Sequence, residues 1–403
     1  MHVEALPARL YALPTAPRQA ARLSAFSLVV IGLFGFLLPI MWIIDLAGGQ
    51  VNTCAADLLI LPVLFLLRGR LLKSGSLGYW IFALWMINVV SWALSASLLS
   101  SMTLVRECLK LGTCYLYAFA GFTVGRDGRT TNAFVRGICW SAIPMAAVGI
   151  FAFFTHQPSW FISDKVRVAG TLGDPNAFGI YLGIVLPLVA SAGIGWLTIP
   201  LFIGAGVVSL SRTGLAVIGA ALGLNLLHLG WRRYLLVAAA GIFVFVTIYG
   251  IVSATRYGQR VAKYQNSLEE RQNLWSLAAG VIADHPVLGV GKGNWEVASG
   301  SRILPHNTFL SVMVDGGIVG FTVFIIPIAL WVARGIRRAA ARPWAIAVFC
   351  GRVGGLAISL DNFRPFWLAI GVLVAQLGSG QTYQGAVAAA RAGVRSPLNR
   401  HWR

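Results

Sequence analysis

The chain has 403 residues, of which 57% are hydrophobic and only 11% are charged. Ordinary soluble domains carry roughly 25% charged residues, so this composition excludes a soluble globular enzyme and a disordered chain. Apolar runs close to the ~20 residues that cross a bilayer recur along the whole sequence, which predicts a polytopic helical membrane protein. The five cysteines form no C-x-x-C pair and predict neither a disulfide framework nor a metal site.

Hydropathy predicts an all-α fold of about twelve transmembrane helices. The predicted spans are 24–44, 53–67, 77–98, 103–124, 133–154, 176–194, 196–209, 213–229, 234–253, 306–333, 344–360 and 364–380. The predicted organisation is a cytoplasmic N-terminal segment 1–23, helices 1–9 over 24–253, a large periplasmic loop 254–305, helices 10–12 over 306–380, and a basic cytoplasmic tail 381–403.

The net charge of +19 follows the predicted topology. With the N-terminus in the cytoplasm, 19 of the 32 basic residues fall in cytoplasmic segments, together with only two acidic ones, Glu4 and Asp127. Because basic residues are enriched in short cytoplasmic loops, orientation explains the charge and no nucleic-acid partner is expected. Function is expected on the external face, where the long loop 254–305 lies.

The first candidate site is the run Ser209-Leu210-Ser211-Arg212-Thr213, between two apolar runs at the external surface. Ser211 is a good N-cap for the eighth span, and a helix N-terminus offers free N–H groups and partial positive charge. Arg212 adds a full charge, so the run predicts an anion site at membrane depth. A snorkelling arginine at a helix end is the alternative.

The long loop contains a second candidate. Ser267 and Glu270 fit an S-x-x-E capping box, and Trp275 and Ile282 recur at helical spacing on the face that carries Arg271. The pattern predicts an amphipathic helix lying on the membrane surface, with Arg271 directed at a lipid phosphate. The alternative is that Arg271 pairs with a neighbouring glutamate.

The third candidate is Pro305-His306-Asn307, which opens the tenth predicted span. A helix N-terminus disfavours the imidazolium form, so His306 should be neutral at pH 7 and able to accept a proton. A capping or interfacial histidine is the alternative. The glycines that follow, including Gly316 and Gly320, predict close helix packing.

Two weaker patterns lie on the same face. Arg167 is another external cation, and Asp174-Pro175-Asn176 predicts a turn that starts the sixth span. Asp361-Asn362-Phe363-Arg364 predicts a turn in the last external loop. The external segments contain no clustered carboxylates and no His/Cys ligand set, so neither a metal nor a cofactor is expected.

The sequence resembles the O-antigen ligase/polymerase superfamily of bacterial envelope glycosyltransferases, between about residues 160 and 335. The motifs that carry the resemblance are, in order, Ser-Leu-Ser-Arg-Thr before a span, Arg271-x-x-Leu-Trp, His-Pro-x-x-Gly-x-Gly from His285 to Gly291, and His306-Asn-x-x-Leu followed by Gly316 and Gly320.

The resemblance implies a C-type glycosyltransferase in the bacterial inner membrane, metal-independent and inverting, with its active site facing the periplasm. The implied donor is a glycan on undecaprenyl diphosphate. The implied acceptor is lipid A–core or a similar molecule for a ligase, or another carrier-linked glycan for a polymerase. The implied site residues are His306 as the catalytic residue, Arg212 and Arg271 as diphosphate ligands, and Arg167, Asp174, Ser211 and Asn307 as accessory candidates.

The chemistry of the residues agrees with this assignment. A diphosphate is already a good leaving group, so the reaction needs positive charge around the diphosphate and a base for the acceptor hydroxyl. A polymerase would use the same residues. A flippase or transporter would predict inverted repeats and midplane charges, and neither is evident in the sequence. A purely structural membrane protein would not need external cations at helix ends.

Overall fold

The computed structural model describes residues 23–46, 49–71, 73–95, 101–163, 167–192, 198–226, 250, 267–360 and 362–378. Among these residues α-helices dominate, and the strands form two small antiparallel hairpins. The predicted all-α class is therefore confirmed in its main feature, and the apolar helices indicate a membrane-embedded protein.

The described helices and strands follow the chain in this order: α1 (Ala25–Leu37), β1 (Met41–Leu46), β2 (Gly49–Cys54), α2 (Asp57–Leu66), α3 (Arg68–Leu71), α4 (Gly75–Leu94), α5 (Ser101–Gly125), α6 (Gly128–Thr155), β3 (Ile162–Ser163), β4 (Arg167–Val168), α7 (Pro175–Ser191), α8 (Thr198–Val208), α9 (Arg212–Leu226), α10 (Ser267–Asp284), α11 (Trp295–Ser299), α12 (Thr308–Ile336), α13 (Arg342–Gly354) and α14 (Arg364–Gly378).

Three described helices, α4, α6 and α12, are long and apolar enough to cross a membrane, by length and composition. Most other predicted spans correspond to shorter apolar helices. The predicted ninth span, 234–253, lies outside the described residues except for Gly250. The total of twelve spans therefore stays a prediction.

The first predicted span, 24–44, is wrong after residue 37. Ser24 caps α1 by accepting a hydrogen bond from the Ser27 amide, but the helix ends at Leu37. The strand β1 follows and pairs antiparallel with β2. Pro39 lacks an amide donor and the β-branched residues after it favour extended backbone, so the chain leaves the helix there. Hydropathy alone does not distinguish this apolar strand from the end of a helix.

A buried ion pair joins the start of α2 to the start of α14. Arg364 donates to both carboxylate oxygens of Asp57, at 2.8 Å from Nε to Oδ1 and 2.9 Å from Nη2 to Oδ2. The Tyr117 hydroxyl donates to the same carboxylate at 2.8 Å. Because Arg364 is only 5% exposed and donates from both Nε and Nη2, its role is to hold the helices together.

Glycines allow the closest helix contacts in the core. At Gly121 of α5 and at Gly371 of α14, an added Cβ would overlap the backbone of the opposite helix. Backbones that approach so closely gain van der Waals contact along the whole helix pair, which stabilises helices in a membrane.

Candidate active site

The Ser-Leu-Ser-Arg-Thr run forms a tight turn between α8 and α9. Leu210 has a left-handed φ of 51°, and the Ser211 amide donates to Oγ of Ser209 at 3.2 Å. Ser211 Oγ accepts a hydrogen bond from the Gly214 amide at 3.0 Å, so Ser211 caps α9 as predicted. Arg212 starts α9 with an exposed side chain, and among the described residues it has neither a hydrogen bond nor an ion pair.

A second set of hydrogen bonds ties this turn to the start of α7. Asn176 Oδ1 accepts from Ser211 Oγ at 2.8 Å and from Nη2 of Arg167 at 3.2 Å. Arg167 also donates from Nε to the Ser209 carbonyl at 3.3 Å. Arg167 therefore braces the turn that presents Arg212. Asn176 is the centre of this network, and only its place in the Asp-Pro-Asn turn marked it in the sequence.

Glycines bring the N-termini of α7 and α9 together. Gly179 and Gly214 face each other so closely that a Cβ on either would overlap the backbone of the other helix. Gly179 lies four residues after the start of α7, and Gly214 lies two residues after the start of α9. Asp174 caps α7 by accepting from the Ala177 amide at 2.7 Å, as the turn pattern predicted. Two positive helix ends therefore lie side by side next to Arg212.

The helix α10 carries Arg271, and its apolar face is covered by protein. Leu274 and Ala278 are buried in a cluster with Val290 and Val314. The prediction that this face rests on the membrane surface is therefore wrong, because the chain that follows α10 folds back over it. Arg271 has no ion pair with a described carboxylate, which also excludes pairing with a neighbouring glutamate as its role.

His306 lies directly before α12 with a left-handed φ of 49°. Asn307 is the N-cap, and its Oδ1 accepts from the amides of Phe309 and Leu310 at 2.9 and 3.2 Å. Thr308 then donates its amide to the Gly355 carbonyl at 2.7 Å, which anchors the junction to the end of α13. Capping is thus performed by Asn307, and the His306 ring has no hydrogen bond to any described residue.

The charges around His306 act on its protonation. Desolvation by the surrounding protein, and then the positive charge of Arg271, lower the pKa of His306 below its ordinary value of 6.5, while the Asp174 carboxylate opposes them. The imidazole is therefore mainly neutral at pH 7. Arg271 on α10 and Asp174 at the start of α7 are therefore near enough to His306 to act on its charge. Asp174 lies two residues before Asn176, which accepts the hydrogen bond from Ser211 in the Arg212 turn.

The helix α12 contains a break that the sequence did not reveal. Gly317 has φ 59° and ψ −160°, which are not helical angles. The segment 286–291 packs against this break and donates and accepts backbone hydrogen bonds there. Of the two glycines in the His-Pro-x-x-Gly-x-Gly motif, Gly289 therefore allows close backbone contact with α12, and Gly291 allows close contact with α4 at Ser91 and Trp92. Among the described residues there is no group of three His, Cys, Asp or Glu side chains that could hold a metal ion.

Residues 196–325 match the family model described as O-antigen ligase. The match spans α8 to the first part of α12 and contains Arg212, Arg271 and His306. It confirms over these residues the resemblance to the O-antigen ligase superfamily that the motifs indicated. A comparison with curated proteins finds no match to the chain.

Proposed function

We propose that the protein is a glycosyltransferase that moves a glycan from undecaprenyl diphosphate to an acceptor hydroxyl on lipid A–core or a similar molecule. The reaction would take place at the periplasmic face of the bacterial inner membrane. The observation that carries the proposal is the hydrogen bond from Trp275 of α10 to the Pro305 carbonyl, which holds α10 and its Arg271 near enough to His306 to lower the pKa of the imidazole. Among the described residues, neither the His306 ring nor the Arg271 guanidinium has a hydrogen bond or ion pair. The family match supports glycan and lipid-linked substrates in general.

Arg212 and Arg271 would bind the diphosphate of the donor. Neither guanidinium has a carboxylate partner among the described residues, so both forks remain available to phosphate oxygens. The N-termini of α7 and α9 add partial positive charge at the same place. As the bond between the anomeric carbon and the phosphate oxygen breaks, negative charge grows on the diphosphate, and these groups stabilise it.

His306 would accept the proton of the acceptor hydroxyl. The acceptor oxygen forms its bond to the anomeric carbon while the diphosphate leaves from the opposite side, so one displacement inverts the anomeric centre. A lowered pKa keeps the imidazole in the form that takes up a proton. The diphosphate leaves without a general acid, and the arginines neutralise its charge, so the mechanism requires no metal.

Helix lengths support a site that is recessed into the membrane. The helix α13 has 13 residues, which corresponds to ~20 Å against a hydrocarbon thickness of ~30 Å. Its last turn is bonded to Thr308, two residues after His306. A recessed site suits a donor whose diphosphate lies at the headgroup level of a lipid carrier.

Purified protein in liposomes, supplied with undecaprenyl diphosphate-linked glycan and an acceptor, tests the proposal. We expect His306→Asn to lower the transfer rate by ~10²–10⁴-fold, since asparagine keeps the polarity but takes up no proton at neutral pH. His156→Asn is the matched control, because His156 is also an exposed histidine with left-handed φ beside a helix end. Equal activity of both variants would refute the role of His306 as the base.

Arg271→Ala should abolish transfer. Arg302→Ala should not, and it serves as the control because Arg302 is an exposed arginine of the same segment. Product analysis separates ligase from polymerase: transfer to lipid A–core indicates a ligase, and growth of carrier-linked glycan indicates a polymerase with the same site. Movement of lipid-linked glycan across the membrane without any transfer would indicate a transporter instead.

A further inference from the structure

The break in α12 leaves four backbone groups without their helical partners, and one segment satisfies all four. In an unbroken helix the amides of Ile318 and Val319 would bond to the carbonyls of Val314 and Asp315. Instead these amides donate to the carbonyls of Pro286 and Val287, at 2.9 and 3.2 Å. The carbonyls of Val314 and Asp315 accept from the amides of Val290 and Gly291, at 2.8 and 2.9 Å.

An ion pair continues this backbone pairing. Lys292, the next residue after Gly291, places Nζ 3.4 Å from Oδ2 of Asp315. The two side chains are only 8% and 18% exposed, so little water screens the pair. The Lys292 carbonyl also accepts from the indole of Trp92 at 2.8 Å, which attaches the segment to α4. Residues 286–292 and the part of α12 before Gly317, which is called here the first half of α12, thus form one unit, called here the clamp.

The clamp lies between the two residues proposed to do the chemistry. On one side, segment 286–292 continues directly from α10, which carries Arg271. On the other side, the first half of α12 begins just after His306. A second link closes the loop, because the Trp275 indole of α10 donates to the Pro305 carbonyl at 3.0 Å. The separation of Arg271 and His306 therefore depends on how α12 is held against segment 286–292.

We infer that Lys292 and Asp315 are positioning residues that set the distance between the Arg271 guanidinium and the His306 imidazole. Neither has a hydrogen bond or ion pair with Arg271 or His306, and they act through the clamp. The consequence for catalysis rests on the proposed function, whereas the geometric consequence does not. If either charge is removed, the first half of α12 loosens from segment 286–292 and Arg271 moves away from His306.

The charged groups around His306 make this displacement measurable. Arg271 approaches from α10 and lowers the pKa of His306, and Asp174 approaches from the start of α7 and raises it. Arg212 belongs to the neighbouring turn between α8 and α9, and Arg167 donates to this turn from β4. Retreat of Arg271 alone raises the pKa of His306 toward its ordinary value of ~6.5.

The test measures the reaction of His306 with diethyl pyrocarbonate as a function of pH in the full-length protein. The reagent attacks neutral imidazole, and mass spectrometry of the His306 peptide gives the pKa without any transferase assay. We expect Asp315→Asn and Lys292→Met both to raise this pKa. If the two charges acted on His306 directly, without any movement of Arg271, the variants would shift the pKa of His306 in opposite directions. Asp315→Asn would then lower this pKa and Lys292→Met would raise it.

Two further variants complete the design. Asp315→Glu keeps the charge, and a cavity of about 50 Å³ beside the pair gives room for the extra methylene, so this variant should keep the wild-type pKa. Glu296→Gln removes one partner of the exposed pair between Arg302 and Glu296, and should also keep it. Under the proposed function, Asp315→Asn and Lys292→Met lower kcat ~10- to 100-fold.

A wild-type His306 pKa in folded Asp315→Asn or Lys292→Met protein would overturn the inference, as would opposite shifts in the two variants. If both variants fail to fold, Asp315→Glu and Trp275→Phe decide the question. The inference requires a wild-type His306 pKa in Asp315→Glu and a raised His306 pKa in Trp275→Phe. An inactive wild-type transferase with the expected pKa shifts would refute the proposed function alone.

Discussion

The indole Nε1 of Trp275 donates a hydrogen bond to the carbonyl of Pro305, at 3.0 Å, across 30 residues of chain. Trp275 lies one helical turn after Arg271, and Pro305 directly precedes His306. This single bond therefore connects the helix that carries the proposed phosphate ligand with the residue that precedes the proposed base. It turns two separate sequence motifs into one geometric unit.

Replacing Trp275 by Phe should lower transfer about tenfold, since a small displacement of reacting groups costs rate. The ring keeps most of its packing, so thermal stability should change by only about 1 kcal/mol, the value of one hydrogen bond. Trp80→Phe is the control, because Trp80 donates an equivalent bond to the Val323 carbonyl within the bundle. Transfer rates and thermal melting of the detergent-solubilised variants check both statements, and equal activity of the two variants would contradict the first.

Gly317→Ala should destabilise the protein strongly. Its φ of 59° is unfavourable for a residue with a side chain, and a Cβ there would overlap the Val287 carbonyl. Gly320→Ala should be tolerated, because an added Cβ would make an ordinary 3.5 Å contact with Ile87. Thermal melting of both variants is the measurement. Similar melting temperatures would show that the break at Gly317 does not exist in solution.

Asn176→Ala should reduce transfer ~10- to 100-fold with an intact fold, because Ser211 and Arg167 both lose their shared acceptor and the turn presenting Arg212 loosens. Asn225→Ala in α9 removes only a bond to the Ala221 carbonyl within the same helix, and should leave transfer within about twofold of wild type. The comparison uses initial rates at saturating acceptor. Loss of activity in both variants alike would indicate general destabilisation instead.

The transfer rate should fall as the pH drops through the lowered pKa of His306. Above that pKa the imidazole is neutral and accepts a proton, and below it the imidazolium cannot. Because partial desolvation by the surrounding protein and the charge of Arg271 lower the pKa of His306, the acid limb should lie below pH 6.5. Arg271→Lys, which keeps a charge but loses the bidentate fork, should keep this limb while binding donor more weakly. A limb that persists in His306→Asn would assign it to another group.

Much of the helical framework was predictable from the sequence. The helices α4, α5, α6 and α7 lie within a few residues of predicted spans, because long apolar runs have few other solutions in a membrane. Helix caps were predictable because a cap depends only on neighbouring residues: Ser211 and Asp174 each accept a hydrogen bond from the amide three residues ahead. The order of the motifs also indicated the resemblance to the O-antigen ligase superfamily, which the family match supports over residues 196–325.

Contacts between distant segments were decided only by the tertiary structure. Asp57 and Arg364 are 307 residues apart, and neither local pattern indicates the other. The same holds for the break at Gly317, where the amides and carbonyls freed from the helix bond to residues of segment 286–291, earlier in the chain. A glycine in an apolar run is compatible with a continuous helix or with a break. The break forms only where another segment of the chain supplies hydrogen bonds to the amides and carbonyls that the helix leaves without partners, and the tertiary structure decides whether such a segment is present.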